Sequence, residues 1–448
     1  MKRRLIYGLV VIVLAVNLAV GARLYLNSAE AAEKDSPYPN LELFSVVMEK
    51  VRKDYVDGQK LTYEELVHNA LKGMINTLDP HSEFLEPDQY KELQNDTQGQ
   101  FGGLGIVVSI KDNLVTVVAP MEDTPGSRAG IMSGDRIVKI DGKSTERMGL
   151  PEAVKHLRGE PGTEVTITIQ RPSSGIVKDF KLTRAVINMD MVKDINGKKE
   201  FPLGESKIGY VRIAQFGEKT SDELGAALKK LKAQGMQALI LDLRWNPGGL
   251  LDQAVDVCEK FLPRGELIVT TEGRNSIQKF PARGHGDELK HTPMVVLVNL
   301  GSASAAEIVS GCLQDLKRAV VLGEKTFGKG SVQSIVPLQN GAALRLTTAK
   351  YYTPSHKVIH EHGITPDIEV PMSDEEDNAV QLKRAPGGLE SLDEKDREAI
   401  AKLRDPQFDR AMDLLKGINL FTARLPADDR LIAKTGKMAA RGDEALKR

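Results

Sequence analysis

Residues 293–316 read PMVVLVNLGSASAAEIVSGCLQDL. The apolar run at 293–298 suits a buried strand, AAEIVSGCLQDL has helical spacing, and only small and polar residues separate them. A tight strand-to-helix turn can expose a side chain among free backbone N–H groups, which makes Ser302 and Ser304 candidate nucleophiles. The same small residues would also serve simply to let a helix pack closely on a sheet. The unit recurs upstream, where QALILDLRWN (237–246) runs through NPGG (246–249) into the helical pattern LLDQAVDVCEKFL (250–262). KIGYVRIAQF (207–216) and SDELGAALKKLKAQG (221–235) add a strand and an amphipathic helix. RAVVLGEKTFGKGSVQSIVPL (318–338), a hairpin signal at Asn340 and Gly341, and AALRLTTAKYYTP (342–354) supply more strands. This alternation predicts a largely parallel α/β sheet with both glycine-bearing turns at carboxyl ends of strands, where such sheets place their sites.

The whole chain, at 448 residues, is too long for one core and is expected to hold several domains. Its net charge of -1 offers no basic surplus for nucleic acid. Two cysteines, Cys258 and Cys312, cannot build a disulfide framework; both fall in apolar helical patterns and read as buried thiols, with a single bridge between them as the other reading. At the amino end MKRR precedes LIYGLVVIVLAVNLAVGARLYL (5–26), a basic cluster and apolar run that suit a signal peptide or a signal anchor. Ala29, Glu30 and Ala31 form a small-x-small site. Everything beyond residue 32 is therefore expected outside the cytoplasm, in the periplasm or anchored on the outer side of the membrane.

Two helical patterns, LELFSVVMEKVRKDYV (41–56) and TYEELVHNALKGMINTL (62–78), follow a short linker, with Thr62 as the expected N-cap of the second. They open an N-terminal helical segment at 38–97. From 98 the period becomes that of strands: QFGGLGIVVSI, LVTVVAP, DRIVKIDG and EVTITIQR, with helical EAVKHLR before the last. A glycine-rich loop at Gly103, Leu104 and Gly105 can turn N–H groups on a carboxylate, and a peptide held there could continue as an added strand. With TPGSRAGIMSGDRIVKIDG (124–142) these residues resemble a PDZ domain, assigned to 98–185. The α/β core is assigned to 186–373 and a C-terminal helical segment to 374–448. Within the last, SDEEDNAVQLKRAPGG (373–388) reads as an exposed connection and DPQFDRAMDLLKGI (405–418) as an amphipathic helix.

A nucleophilic serine needs a base. None of the eight histidines lies in a recognisable catalytic turn, and the trio His356, His360 and His362 is irregular and lacks an acidic partner, so no metal site is expected. A lysine can serve if it is kept neutral; at pH 7 only about one free lysine in 2,500 is, and making it an effective base costs about 4 kcal/mol. Lys329, between Gly328 and Gly330 and after Phe327, is the better candidate. Lys325 follows Glu324, which would hold it charged.

NLGSASAAEIVSGCLQDL with RAVVLGEKTFGKGSVQ resembles the carboxy-terminal processing peptidases, or tail-specific proteases. LKGMINTLDPHSEFL, LDLRWNPGG, YYTPSHKVIHEHGITPDIEV and DPQFDRAMDLLKG extend the likeness over most of the chain. The resemblance implies a crotonase/ClpP-like α/β protease core with an inserted PDZ domain and helical terminal segments. It implies Ser304 as nucleophile, Lys329 as general base and Gln333 as the residue that positions the lysine. It further implies an oxyanion hole from the N–H groups of Ala305 and Gly248, with Gly249 in reserve. Ser302 becomes a packing residue, and Ala306 replaces a serine of the family pattern that is not the nucleophile.

The PDZ domain would hold the substrate's terminal carboxylate near Gly103, Leu104 and Gly105, with Arg158 as a gating residue or merely a solvated helix cap. The expected activity is exported serine endopeptidase, without cofactor, on proteins with free apolar C-termini, with an adaptor protein, membrane association and a homodimer or larger assembly as further expectations. Two alternatives remain at this point. One is a crotonase-like acyl-transfer enzyme, needing neither Ser304 nor Lys329; the other is an inactive PDZ scaffold.

Overall fold

A computed structural model describes residues 37–424, apart from residues 112, 122, 173, 285–288, 290, 385–388, 390, 391 and 393. The signal or anchor reading of residues 1–32 lies outside the described residues, as do His285 and residues 425–448. Among the described residues no helix is long and apolar enough to cross a membrane. The chain divides after Phe84 into two compact units.

The first unit carries the helices Pro37–Asp54 and Tyr63–Asn76. Thr62 caps the second as expected: its hydroxyl accepts from Glu65 N–H at 3.1 Å while the Glu65 carboxylate accepts from Thr62 N–H at 2.8 Å. Arg52 lies 4.1 Å above the Tyr63 ring, and the Tyr63 hydroxyl donates to Glu49 at 2.6 Å, so the two helices meet through polar ends.

The second unit opens with the helix Pro87–Thr97 and a strand, Gln100–Gly103, that pairs antiparallel with Ala185–Asn188. Between those strands sits an antiparallel sheet in the order Ile106–Lys111, Leu114–Pro120, Arg136–Ile140, Glu164–Arg171, Ile176–Thr183. EVTITIQR shows why: Val165, Ile167 and Ile169 alternate into a core with Val115, Val117 and Ile137, while the residues between them face outward. The helix Leu150–Leu157 adds Ala153 and Leu157 to that core. Ile106–Lys111 is left as an edge strand.

The central sheet runs Val192–Lys193, Ile208–Ile213, Ala238–Asp242, Met294–Val298, Val320–Gly323, Ile368–Glu369, parallel after the first pair. Its inner strands ALILD and MVVLV are buried on both faces, which explains their unbroken apolar runs. Alternate residues serve opposite cores. Leu239, Leu241, Val296 and Val298 face the helices Thr220–Ala233, Leu251–Glu259 and Ala305–Asp315, whereas Ala238, Ile240, Val295 and Leu297 face Ala411 and Leu415 of the helix Pro406–Arg424. Cys258 and Cys312 are free and buried together in the first of these cores; burial pushes the Cys258 thiol well up, and the neighbouring Cys312 adds to it.

The strands after residue 330 lie in another sheet, where Ser331–Pro337 and Ala343–Tyr352 form an antiparallel hairpin that joins Leu267–Gly273 and Ile277–Pro281. One expectation needs correction. Residues 373–388 are not simply a connection, because Asp374–Arg384 is helical. Ser373 and Glu376 cap it reciprocally, its acidic start and basic end suit the helix dipole, and Ala379, Val380 and Arg384 are buried.

Candidate active site

The strand Met294–Val298 delivers the chain to a turn that is tied on every side. Ser302, fully buried, donates its hydroxyl to Leu243 O at 2.8 Å and accepts from Asn299 N–H at 3.0 Å. The Asn299 side chain accepts from Trp245 N–H and Gly301 N–H at 2.9 and 3.1 Å, and Ala303 N–H donates to Asn246 O at 2.9 Å. Ser302 is thereby spent on stitching this turn to Leu243, while Ala303 ties it to the NPGG turn. Ser304, at the head of the helix Ala305–Asp315, is held at φ 54° and ψ −114°. A serine rarely adopts that conformation unless its surroundings impose it, and it is the kind of strain found at reactive turns.

Glu307 supplies part of the constraint. Its Oε2 accepts from Ser304 N–H at 2.9 Å and from Lys329 N–H at 2.8 Å, so the segments carrying Ser304 and Lys329 share one oxygen. Burial pushes the Glu307 carboxyl up, against the pull of its hydrogen bonds. The Lys329 loop is pinned further by Phe327 N–H to Ser302 O at 3.0 Å and Tyr351 N–H to Gly330 O at 2.8 Å. Gly330 is required there, because a Cβ would stand 2.2 Å from His360 N. Lys329 is half-buried, whereas Lys325 is exposed.

Gln333 lies two residues into the strand that follows, beyond a bulge, with its amide nitrogen donating to Ser331 Oγ at 2.9 Å and to Thr347 Oγ1 at 3.4 Å. Tyr351 was not foreseen from sequence. Its buried phenol is pushed up by desolvation, against the opposing pull of a hydrogen bond with the Ser304 side chain. Desolvation thus favours the neutral phenol beside Ser304.

The N–H groups expected to serve as oxyanion donors come out differently from one another. Ala305 N–H, at the first turn of the helix, has no acceptor among the described residues. Gly248 packs on Ser304, since a Cβ added to it would fall 2.7 Å from Ser304 Cβ, but its N–H donates to Asn246 Oδ1 at 2.8 Å. In this conformation that donor is turned on the chain itself. Gly249 N–H has no acceptor among the described residues, and φ of 141° with Phe216 O 2.2 Å from a would-be Cβ makes glycine obligatory there.

In the β-domain, Leu104 and Gly105 N–H groups likewise lack acceptors among the described residues, and Gly105, at φ 65°, gives its carbonyl to Thr124 Oγ1 at 3.0 Å and to Met121 N–H at 2.8 Å. Gly103, by contrast, belongs to the strand paired with Ala185. Arg158 is no free cap. It meets Glu92 at 3.1 Å and Asp96 at 3.7 Å on the helix Pro87–Thr97 and lies 4.8 Å above the Phe101 ring, beside a cavity of about 460 Å³. His356 is engaged by Glu272 at 2.9 Å and stacks on Tyr352; among the described residues no three metal-ligating side chains converge.

A second buried cluster forms at the end of the strand Ala238–Asp242. Arg244 and Arg384 grip Asp242 and Asp405, and Gln407 accepts from Arg244 Nη1 at 3.0 Å. Burial would raise the Asp242 carboxyl, but Arg244 and Arg384 outweigh it and hold it far below the usual carboxylate range.

The profile of Peptidase family S41 matches residues 207–370, and that of the PDZ domain matches residues 116–171. A carboxy-terminal-processing protease of Bartonella bacilliformis is 44% identical over 379 residues, spanning 83% of this chain and 83% of its own length. A carboxyl-terminal-processing protease of Synechocystis is 36% identical over 380 residues, spanning 80% of this chain and 87% of its own. Among solved structures, a photosystem II D1 C-terminal processing protease superposes with a TM-score of 0.44 at 29% identity, covering 82% of this chain and 97% of that one.

Proposed function

Because the chain belongs to the carboxy-terminal-processing proteases of peptidase family S41, a serine-type endopeptidase family that recognises C-terminal tails through a PDZ domain, we propose that Ser304 and Lys329 are its catalytic pair. The acyl-transfer alternative falls with that membership, and the serine-type activity typical of the family, with Ser304, Lys329 and Gln333 all present, speaks against the inactive scaffold. In our reading Lys329 takes the proton from Ser304 as the hydroxyl oxygen attacks the peptide carbonyl, then returns it to the leaving amine. Water then attacks the acyl-enzyme carbonyl as Lys329 takes its proton; the bond to the Ser304 oxygen breaks, Lys329 returns the proton to that oxygen, and the acyl group leaves as a new carboxylate. Ala305 N–H meets the oxyanion, joined by Gly248 N–H once the turn releases it from Asn246, with Gly249 in reserve. Gln333 orients the lysine.

The observation that carries this reading is the shared Glu307 oxygen, which supports placing the segments of a strained serine and a glycine-flanked lysine in one site. We place the core with crotonase/ClpP-like arrangements, on the strength of its parallel sheet and glycine turns. Its domains are the helical segment 38–97, the PDZ domain 98–185, the core 186–373 and the C-terminal segment 374–448. Residues 1–32 act as signal peptide or anchor, so the working compartment is extracytoplasmic, periplasmic or on the membrane's outer side. The exposed Leu420 and Phe421 at the end of the last helix favour a homo-oligomer.

Tail selection follows from the edge strand. A substrate terminus would add to Ile106–Lys111 as a further strand, with its carboxylate on the open N–H groups of Leu104 and Gly105 and with Gly103 shaping the loop. Arg158, on this view, exchanges Glu92 and Asp96 for the incoming substrate and so acts as the gate. The test is product mass spectrometry on a loosely folded protein ending in apolar residues. Cleavage is expected to need Ser304 and to fall when the terminus is amidated; cleavage indifferent to amidation would reject delivery by the PDZ domain.

A further inference from the structure

Four donors converge on the Glu307 carboxylate, which is fully shielded from solvent. Besides the Ser304 and Lys329 N–H groups on Oε2, its Oε1 accepts from the Thr326 hydroxyl at 2.5 Å and from Gly328 N–H at 2.7 Å. Thr326 is itself fixed, since its hydroxyl oxygen accepts from Ile364 N–H at 2.7 Å. Simple capping of the helix Ala305–Asp315 would need only the Ser304 bond and would be worth about 1 kcal/mol. Three of the four donors instead come from the segment that carries the lysine.

The match is also chemical. A carboxylate offers acceptors alone, and all four partners here are donors. A carboxamide of the same shape would present N–H groups to two of them and leave those donors without an acceptor. Since Oε2 serves both main-chain nitrogens, Ser304 and Lys329 cannot separate by more than two hydrogen-bond lengths without breaking a bond. Resting on the Ser–Lys reading above, we infer that Glu307 is a positioning residue: one carboxylate that ties the nucleophile's strained turn and the base's loop into a single rigid frame.

The test compares Glu307→Gln, Thr326→Val and Ser304→Ala in the full chain, with kcat expressed per folded molecule and thermal melting recorded for each. Glu307→Gln is expected to lower kcat about 100-fold, the scale of a misplacement near 1 Å, with KM little changed. Labelling of Ser304 by a fluorophosphonate should slow in step. A purely structural role would lower the melting temperature and the folded fraction while sparing kcat per folded molecule. Thr326→Val withdraws one donor from Oε1 but leaves both Oε2 bonds, so a smaller fall in kcat at constant KM is expected, and it decides the matter if Glu307→Gln does not fold. Wild-type kcat in every folded variant, with Ser304→Ala inactive, overturns the positioning role alone. Turnover by Ser304→Ala would instead overturn the Ser–Lys reading on which it rests.

Discussion

Ser304→Ala is expected to abolish peptide hydrolysis down to the residue left by substrate binding and oxyanion contacts, a loss of about 10⁶-fold in kcat by analogy with other serine peptidases. Lys329→Ala should follow at about 10³-fold or more, the upper part of the range for general-base catalysis. The frame that holds both segments is made chiefly by main-chain groups and the Glu307 carboxylate. The turn of Ser304 is held by its backbone N–H on Glu307, while its hydroxyl meets Tyr351. The loop of Lys329 is likewise held by its main chain, through Glu307 and Tyr351. Melting temperatures should therefore stay near that of the wild type. Steady-state kinetics on an unfolded protein substrate, with calorimetry on the same samples, checks both halves; turnover by either variant at the wild-type rate would remove that residue from the mechanism.

The second large effect is on stability. Arg244 is the largest fully buried side chain among the described residues, and it bonds to both oxygens of Asp242 and of Asp405. Arg244→Met leaves Asp405 and Gln407 short of donors within the core and should cost about 3–5 kcal/mol, as removal of one member of a buried ion pair does. The helices Asp374–Arg384 and Pro406–Arg424 depend on this cluster through Arg384 and Gln407, so they should loosen first. The pH dependence has a definite sign. Asp242 is held below its unfolded value near 3.9, so its contribution is complete above that pH and is lost as the pH falls. The gap between wild type and Arg244→Met should narrow on acidification; chemical denaturation across pH measures it, and a gap that widened would contradict the account.

The sequence made the strand–turn–helix around Ser304 readable because everything needed is local: an apolar run, small residues, then helical spacing. The same holds for Thr62, whose capping partner Glu65 is three residues away. The PDZ strands were readable for a related reason, since EVTITIQR alternates with the pleat. What stayed hidden depends on residues far apart in the chain. Glu307 finds three of its donors 19 to 22 residues later, and Arg244 meets Asp405 across 161 residues. Charged runs concealed the helix Asp374–Arg384, because its polar face dominates the pattern and only Ala379, Val380 and Arg384 turn inward. A hairpin signal at Asn340 and Gly341 marked the turn but could not say which sheet its strands would join. Tyr351 sat in plain view inside YYTP, yet only folding brings its hydroxyl beside Ser304.

Gly248 shows a different limit. Its place beside the nucleophile follows from the repeated strand–glycine turn–helix unit, and it does abut Ser304. The direction of its N–H does not follow from the unit, because that depends on the peptide orientation and on Asn246, whose amide oxygen now holds it. Asn246 is fully buried, with its own amide nitrogen donating to Ile213 O at 2.7 Å, so opening the oxyanion hole means moving the turn past a fixed side chain.

The central claim is that Ser304, activated by Lys329, is the attacking group. The most direct test is to react the intact protein with a peptidyl fluorophosphonate and locate the adduct by peptide mapping. A single adduct on Ser304, formed slowly or not at all in Lys329→Ala, is the expected result. An adduct on Ser302, or continued cleavage with Ser304 unmodified, would contradict it.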